Sequence, residues 1–225
     1  MKIAVCGDSI LSADTDLPGT HFTELLHSTE YTNVARIGCS NSCIRLQLDR
    51  AIELNPDLII LGATDHNRYE VPVGKYILQN SIDNIEYGHT LRCTSSQYVN
   101  SNPQNPVTMF SDHYTTLTRS SYLPSNKLQA FKSFVADLMD EDWEMQRNRF
   151  IIESICSTLI FSNINFIYIP CLSNYIPNWL DRERVFDLNI EEYMRMDPAP
   201  EWNTYHTGIH AQVLIAERIK EQFNV

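Results

Sequence analysis

The stretch KIAVCGDSI, residues 2–10, begins with a mostly apolar run and ends in Gly-Asp-Ser-Ile. An apolar run of this length that closes on a glycine is typical of a buried β-strand followed by a tight turn. A serine in such a turn can cap a helix, and it can also be presented as a nucleophile. The stretch therefore predicts a strand and leaves two roles open for Ser9.

Outward from this strand, short apolar runs alternate with helical patterns. This alternation predicts a parallel sheet with helices on both faces. We expect an α/β fold, a three-layer α/β/α sandwich with a flavodoxin-like, largely parallel sheet of about five strands. The further predicted strands are 33–37, 57–62 and 165–170, and the predicted helices are 21–28, 42–54, 125–139, 141–163 and 208–223.

Length and composition limit the possible classes of protein. The 225 residues fit a single domain, 1–225, and a net charge of −11 without a basic cluster argues against nucleic acid as a partner. No apolar stretch approaches the roughly 18 residues of a membrane span, and the opening strand does not resemble a signal peptide, so we expect a cytoplasmic protein. The six cysteines are scattered, which favours reduced thiols; no metal or cofactor is expected, and the oligomeric state stays open.

Residues 71–125 form a predicted irregular insert. Its segment SSQYVNSNPQNP, 95–106, is rich in Ser, Asn and Pro and poor in apolar residues, as loops are. A long irregular stretch inside a compact domain is usually a functional lid or a disordered segment. The role of the insert is left open between these.

Polar clusters follow three of the predicted strands and precede the last helix. They are GDS at 7–9, GCSN at 38–41, GATDHNR at 62–68 and YHTG at 205–208. In open α/β sheets the active site lies outside the carboxyl ends of the strands. We therefore expect these four clusters to meet at one edge of the sheet.

The four clusters, in this order, resemble the blocks of the SGNH, or GDSL-type, serine hydrolase family. GDSI carries Ser9 at the position of the family's nucleophile, and in NVARIGCSN the residues Asn33 and Gly38 keep the family's spacing. In NTYHTGIHAQVLIAERI, His206 precedes Ala216 by ten residues, as the family's catalytic histidine precedes an alanine. The matching blocks cover about half of the chain.

The resemblance implies acyl transfer by a serine nucleophile. Ser9 would attack an ester carbonyl while His206 takes its proton and then protonates the leaving alcohol. The backbone N–H groups of Ser9 and Gly38 would stabilise the oxyanion, and the loss of one such donor typically costs about 10²–10³-fold in rate.

The third block departs from the family pattern. Thr64 stands where the family has the asparagine that donates its side chain to the oxyanion. A threonine hydroxyl is shorter and donates one hydrogen bond, so Asn67 or Asn41 is the alternative donor. Asp65 belongs to a polar loop expected to frame the site, and Asp8 is expected to brace the nucleophile's turn.

The last block departs at the position of the triad acid. Asn203 stands three residues before His206, where the family has an aspartate. Asparagine can orient an imidazole ring but carries no charge, and in serine proteases this exchange lowers kcat by about 10⁴. Glu201 and Asp197 lie close enough in sequence to replace the missing carboxylate.

These observations favour a serine esterase that removes a small, acetyl-like acyl group from a carbohydrate or another alcohol. Its partner is then a small-molecule or glycan ester substrate. Two other functions stay open. One is a catalytically weakened member of the same fold that binds a ligand or partner. The departures at Asn203 and Thr64 favour this alternative. The other is a flavodoxin-like binding protein unrelated to hydrolysis.

Overall fold

A computed structural model describes residues 1–13, 17–26, 28–36, 39–66, 68–71, 89–93, 107–111, 130, 133–134, 137–198 and 206–225. The strands within these ranges are β1 (Lys2–Cys6), β2 (Glu30–Asn33), β3 (Leu58–Gly62), β4 (Arg68–Val71), β5 (His89–Cys93), β6 (Val107–Ser111) and β7 (Phe166–Ile169). The helices are α1 (Asn41–Glu53), α2 (Glu141–Phe161), α3 (Ile190–Met196) and α4 (Ile209–Phe223), and a 3₁₀ turn lies at Arg182–Arg184.

Four strands form a parallel sheet in the order β2-β1-β3-β7. Ile3 lies beside Tyr31 of β2 and Leu58 of β3, and Ile60 lies beside Ile167 of β7. Strands covered on both faces need apolar side chains on both, which the continuous apolar runs of β1, β3 and β7 provide. The chain is therefore an α/β protein with a parallel sheet, of which the described residues form four strands.

A hydrophobic core lies on each face of this sheet. Ile3 and Val5 belong to one core together with Ile215 of α4, and Ala4 and Cys6 belong to the other together with buried residues of α1 and α2. Full burial of a Val- or Ile-sized side chain contributes about 1.5–3 kcal/mol. The two cores thus hold the strand ends from which the site loops leave.

The edge strand β2 begins three residues before the strand predicted at 33–37. Its residues are partly exposed, because an edge strand has a neighbour on one side only. The apolar residues that produced the prediction, Val34 and Ala35, are buried in the loop that follows β2. The N–H groups of Val34 and Arg36 still donate to the carbonyls of Val5 and Gly7, so the buried loop continues along β1 and explains the apolar run.

The predicted helix at 21–28 is wrong for its described residues, 21–26. They form hydrogen-bonded turns in which the carbonyl of His21 accepts from the N–H groups of Glu24 and Leu25. The side chain of His21 also accepts from the Thr23 N–H at 3.3 Å. Such local bonds from side chain to backbone compete with a regular helix.

Three more strands form an antiparallel sheet in the order β4-β5-β6. The strands β5 and β6 fall inside the stretch 71–125, which the sequence predicts as irregular. Each has five residues of mixed polarity, HTLRC and VTMFS, which is too short to show a clear alternation. Most of the remaining stretch, like most of the helix predicted at 125–139, lies outside the described residues.

The carboxyl ends of β1, β3 and β7 meet at one edge of the parallel sheet, because the three strands run in register side by side. The loops after β1 and β3 leave from this edge, as the order of the polar clusters predicts. Among the helices that the structure describes, none combines the length and apolar character needed to cross a membrane.

Candidate active site

The turn that carries Ser9 is a single helical turn after β1. The carbonyl of Asp8 accepts from the N–H groups of Leu11 at 3.2 Å and Ser12 at 3.0 Å, and its carboxylate accepts from the Ile10 N–H at 3.0 Å. Ser9 stands inside this turn and is 8% exposed. The turn therefore holds the Ser9 hydroxyl at the sheet edge with little freedom.

The His206 ring reaches this hydroxyl from the other end of the chain. Its Nε2 lies 2.9 Å from the Ser9 Oγ, across 197 residues of sequence. The φ of His206 is +66°, in the left-handed region that residues other than glycine rarely adopt. Backbone strain of this kind persists where surrounding contacts enforce it, and it clusters at functional sites.

Asp197 anchors the segment that carries His206. Its carbonyl accepts from the Gly208 N–H at 2.6 Å, and its carboxylate accepts from the Ala211 N–H at 2.9 Å in the first turn of α4. A Cβ on Gly208 would lie 2.3 Å from this carboxylate, so the approach requires glycine. Asp197, one predicted replacement for the triad acid, therefore caps α4.

The pKa of His206 is lowered from its ordinary value. Burial of the ring is the largest cause; the negative charge of Asp8 raises the pKa, and the positive charge of Arg68 lowers it. The ring is therefore neutral at pH 7, which is the form that accepts a proton. Within the described ranges, no carboxylate forms a hydrogen bond to this ring.

Asp8 lies at the centre of a buried polar group beside the dyad of Ser9 and His206. Its Oδ2 accepts a 2.6 Å hydrogen bond from the Thr64 hydroxyl and lies 3.1 Å from Nη1 of Arg68. The same Nη1 donates to the carbonyl of Cys39 at 3.0 Å. Asp8 thus braces the turn through its Ile10 contact and links it to the loop after β3.

Asn41 pairs with the backbone of Thr64. Its Oδ1 accepts from the Thr64 N–H at 2.9 Å, and its Nδ2 donates to the Thr64 carbonyl at 2.8 Å and to Oδ1 of Asn148 at 2.6 Å. The side-chain donors of Asn41 and Thr64, both predicted as oxyanion donors, are therefore engaged within the frame of the site. In this structure the two residues fix the loop after β3.

Gln47 of α1 does the same for the loop after β1. Its Oε1 accepts from the Gly7 N–H at 2.8 Å, and its Nε2 donates to the Gly7 carbonyl at 3.2 Å. A side-chain amide can pair in this way because it places an N–H donor beside a carbonyl acceptor, as a peptide group does. Helix α1 thereby holds both loops that frame Ser9.

His21 supports the turn from the opposite face. It is fully buried, and burial is the main cause that lowers its pKa to about 4, so the ring is neutral at pH 7. A carbonyl can only accept, so the 3.0 Å contact with Ile10 places a proton on Nε2. The Nδ1 then accepts from the Thr23 hydroxyl at 2.7 Å.

The hydrogen-bond chain continues to β2. The Thr23 hydroxyl lies 2.8 Å from the Tyr31 hydroxyl, which accepts from Nδ2 of Asn33 at 2.9 Å. The same Nδ2 donates to the carbonyl of Leu11 at 2.7 Å. This series of hydrogen bonds therefore starts and ends on carbonyls of the turn that carries Ser9, and Asn33 helps to support that turn.

The remaining predicted site residues are placed as follows. Asp65 lies 3.2 Å from Nδ1 of its neighbour His66, whose Nε2 is 3.9 Å from Glu141 at the start of α2. The frame predicted for this loop thus includes α2. The predicted residues that lie outside the described ranges are Gly38, Asn67, Glu201 and Asn203.

Sequence reasoning missed His21, Thr23 and Gln47. His21 and Thr23 fall in a stretch with a helical pattern, and Gln47 reads as an ordinary polar position of α1. Apart from the contact between His21 and Thr23, their partners are backbone groups or residues that only the fold brings close. Local sequence therefore carries no signal for these three roles.

One cavity lies away from Ser9. It measures about 320 Å³ and is lined by residues at the amino ends of the strands, among them Met1, Leu58 and Phe166. In the described part of the chain, no three His, Cys, Asp or Glu side chains are grouped so that they could hold a metal ion.

Comparison of the chain with family models gave no match, and comparison with curated proteins gave none. The resemblance to the SGNH hydrolases therefore depends on the four sequence blocks themselves.

Proposed function

We propose that the chain is a serine hydrolase of the SGNH type that cleaves a small, acetyl-like acyl ester. The observation that carries the proposal is the 2.9 Å contact between Ser9 Oγ and His206 Nε2. A hydroxyl is a poor nucleophile unless a base lies within hydrogen-bonding reach. Here the base comes from a residue 197 positions away, on a strained backbone, with a ring that is neutral at pH 7.

The proposed reaction uses this contact between Ser9 and His206. Ser9 Oγ attacks the ester carbonyl, its proton passes to Nε2 of His206, and the imidazolium then protonates the leaving alcohol. A water molecule then attacks the acyl group on Ser9, with His206 again as the base, and this releases the acid and free Ser9. The oxyanion receives the backbone N–H of Ser9 and that of Gly38, whose role stays a prediction.

The acid that supports His206 is part of the proposal. In the proposal, Asn203 orients the His206 ring. Glu201 replaces the family's aspartate and supplies its negative charge. Asp197 is already used at the N-terminus of α4. Among the described residues, Asp8 is the carboxylate whose charge acts on the ring.

The finer fold assignment belongs here as well. We propose a three-layer, flavodoxin-like sandwich with about five strands. The strand order β2-β1-β3-β7 supports it, because flavodoxin-like sheets begin with the same 2-1-3-4 order when the strands of the parallel sheet are numbered along the chain. The two cores, one on each face of the sheet, support the layers.

The substrate assignment is a small-molecule or glycan ester. The sequence shows no long apolar segment of the kind that lines an acyl channel, which favours a short acyl group. The cavity of about 320 Å³ lies at the opposite edge of the sheet and does not extend the site. An acetyl group on a carbohydrate or another alcohol fits these observations.

A second candidate is a weakened member of the same fold that binds a ligand without hydrolysing it. One observation favours it. The Thr64 hydroxyl donates to Asp8, and both donors of the Asn41 amide are engaged with Thr64 and Asn148. Neither side chain is then available to an oxyanion.

Hydrolysis of p-nitrophenyl acetate separates the two candidates. We expect turnover in the wild type and a loss of at least about 10³-fold in Ser9→Ala and in His206→Gln, because each removes one member of the dyad. Ser12→Ala is the matched control: it removes a buried hydroxyl from the same turn while keeping the Ser12 N–H bond to Asp8. Equal rates in Ser9→Ala and Ser12→Ala would reject the esterase.

Acetylated sugars then test the substrate class. We expect release of acetate from a panel of O-acetylated monosaccharides and oligosaccharides, dependent on Ser9. Turnover of p-nitrophenyl acetate without turnover of any acetylated sugar would keep the hydrolase and reject the carbohydrate. Binding of these sugars without hydrolysis, in both wild type and Ser9→Ala, would support the binding protein.

A further inference from the structure

We propose that the buried ion pair of Asp8 and Arg68 tunes the base of the site, with Asp8 supplying the negative charge that stabilises protonated His206 and Arg68 limiting it. The inference rests on the proposed function, since it describes how the base of the same dyad is regulated. Both residues act through His206 and touch no reacting atom, so they are positioning residues.

The geometry places the pair beside the dyad. Asp8 directly precedes Ser9, whose Oγ lies 2.9 Å from the His206 ring. Asp8 is fully buried, and its carboxylate lies 3.1 Å from Nη1 of the equally buried Arg68. Buried charges are weakly screened, so both act on the neighbouring ring more strongly than surface charges would.

The two charges act on His206 in opposite directions. The negative charge of Asp8 favours the imidazolium, and the positive charge of Arg68 disfavours it. The neutral His21 binds the Ile10 carbonyl of the same turn, and the charge of His206 lowers its pKa. From the α4 side, the Asp197 carboxylate is bound to the Ala211 N–H.

This opposition distinguishes tuning from a merely structural role. A structural role predicts that loss of either partner loosens the turn and changes His206 in the same way. Tuning predicts changes of opposite sign in the pKa of His206, because one variant removes a negative charge and the other removes a positive charge. The sign of the change, rather than its size, is therefore the decisive quantity.

The experiment follows the pKa of His206 by NMR titration of the histidine ring signals in the intact protein. The His206 signal is assigned as the one missing from His206→Gln. In Asp8→Asn, which keeps the shape and an acceptor for the Ile10 N–H, we expect the pKa to fall by roughly 1 unit. In Arg68→Gln we expect a rise of similar size.

Two further variants keep the test decisive where a single variant folds poorly. The double variant Asp8→Asn/Arg68→Gln leaves a neutral pair without a lone buried charge, and its pKa is expected between those of the single variants. Arg68→Lys keeps the positive charge, so we expect a change of less than about 0.5 unit. Circular dichroism and thermal unfolding confirm that each variant is folded.

An exposed ion pair provides the matched control. Arg45 and Asp49 form an i,i+4 pair on α1, with side chains that are 30% and 57% exposed. The variants Arg45→Gln and Asp49→Asn remove the same charges as Arg68→Gln and Asp8→Asn, but at a solvent-exposed position. We expect them to leave the His206 titration unchanged, since solvent screens such charges.

The outcomes separate this inference from the proposed function. Shifts of the same sign in Asp8→Asn and Arg68→Gln, or no shift in folded variants, overturn the inference whatever the esterase activity is. Opposite shifts in a protein that hydrolyses no ester support the inference about charge and reject the hydrolase. Opposite shifts together with matching movements of the acid limb of kcat/KM support both.

Discussion

Ser9 and His206 lie within hydrogen-bonding distance, but the chain holds them by different means. The turn of Ser9 is held from several sides: by Asp8, by the Gln47 amide on Gly7 and by the buried His21 on Ile10. These contacts come from the turn itself, from α1 and from the segment before β2.

Among the described residues, the contacts on the side of His206 are of another kind. The segment of His206 is anchored where the Asp197 carbonyl and carboxylate bind the first residues of α4. The side chain of Gln212 adds a 2.7 Å bond to the Thr207 hydroxyl. We therefore expect changes near Ser9 to affect folding first and changes near His206 to affect the rate of the proposed reaction first.

The largest effect is expected from Asp8→Ala. This variant leaves Arg68 as a buried charge without its carboxylate, and breaking a buried ion pair in this way costs about 3–5 kcal/mol. Urea unfolding measures the loss. Glu30→Ala is the control: it breaks the exposed Lys2–Glu30 pair and is expected to cost less than about 1 kcal/mol. Equal losses in the two variants would contradict the comparison.

The second effect is a loss of stability in acid caused by His21. Its pKa is about 4 in the folded protein and 6.5 when exposed, so the unfolded state binds the proton first. This contribution is fully present above pH 6.5 and is lost as the pH falls toward 4, amounting to about 3 kcal/mol.

Urea unfolding between pH 7 and pH 4 checks this prediction. His21→Asn is expected to unfold more easily at pH 7 and to lack this part of the pH dependence. His210→Asn, which changes an exposed histidine on α4, is expected to keep it. A pH dependence that is unchanged in His21→Asn would remove His21 from the support of the turn.

The third effect separates stability from rate on the base side. Asp197→Ala removes the cap of α4, and Asp140→Ala removes the side-chain cap that binds the Trp143 N–H in α2. Each variant is expected to lose about 1 kcal/mol of stability. Only Asp197→Ala is expected to lower kcat, by about 10²-fold, because it displaces the segment of the base. A similar rate in both variants would show that the anchor does not position His206.

The smallest effect concerns the acid limb of activity. Because the pKa of His206 is lowered, kcat/KM is expected to rise with pH through a midpoint below 6.5 and to be level at pH 7. A pH profile of p-nitrophenyl acetate hydrolysis gives this midpoint. A midpoint above 6.5 would mean that the negative charge near the ring outweighs its burial.

The sequence predicts the central elements to within about two residues. The strands β1, β3 and β7 are continuous apolar runs, and α1, α2 and α4 show helical spacing, so local sequence determines them. The prediction placed the second strand at 33–37, three residues too late, because Val34 and Ala35 are apolar and are buried in the loop after β2. The turns at 21–26 resembled a helix because Phe22 and Leu26 are buried at helical spacing.

The candidate site is predictable only in part. The spacing of the blocks points to Ser9 and His206, and the structure brings these two side chains together. The pairing of Asp8 with Arg68 and the amide bridges of Asn41 and Gln47 join residues that are 23 to 60 positions apart. Neither composition nor periodicity encodes such pairings, because they depend on which loops the sheet brings side by side.

The most direct test of the central claim is labelling with a fluorophosphonate, followed by peptide mass spectrometry. This reagent forms a covalent bond with a serine that an adjacent base has activated. The account predicts an adduct on Ser9 in the wild type and in Ser12→Ala, and none in Ser9→Ala or His206→Gln. A folded wild-type protein without an adduct on Ser9, or an adduct that persists in His206→Gln, would contradict it.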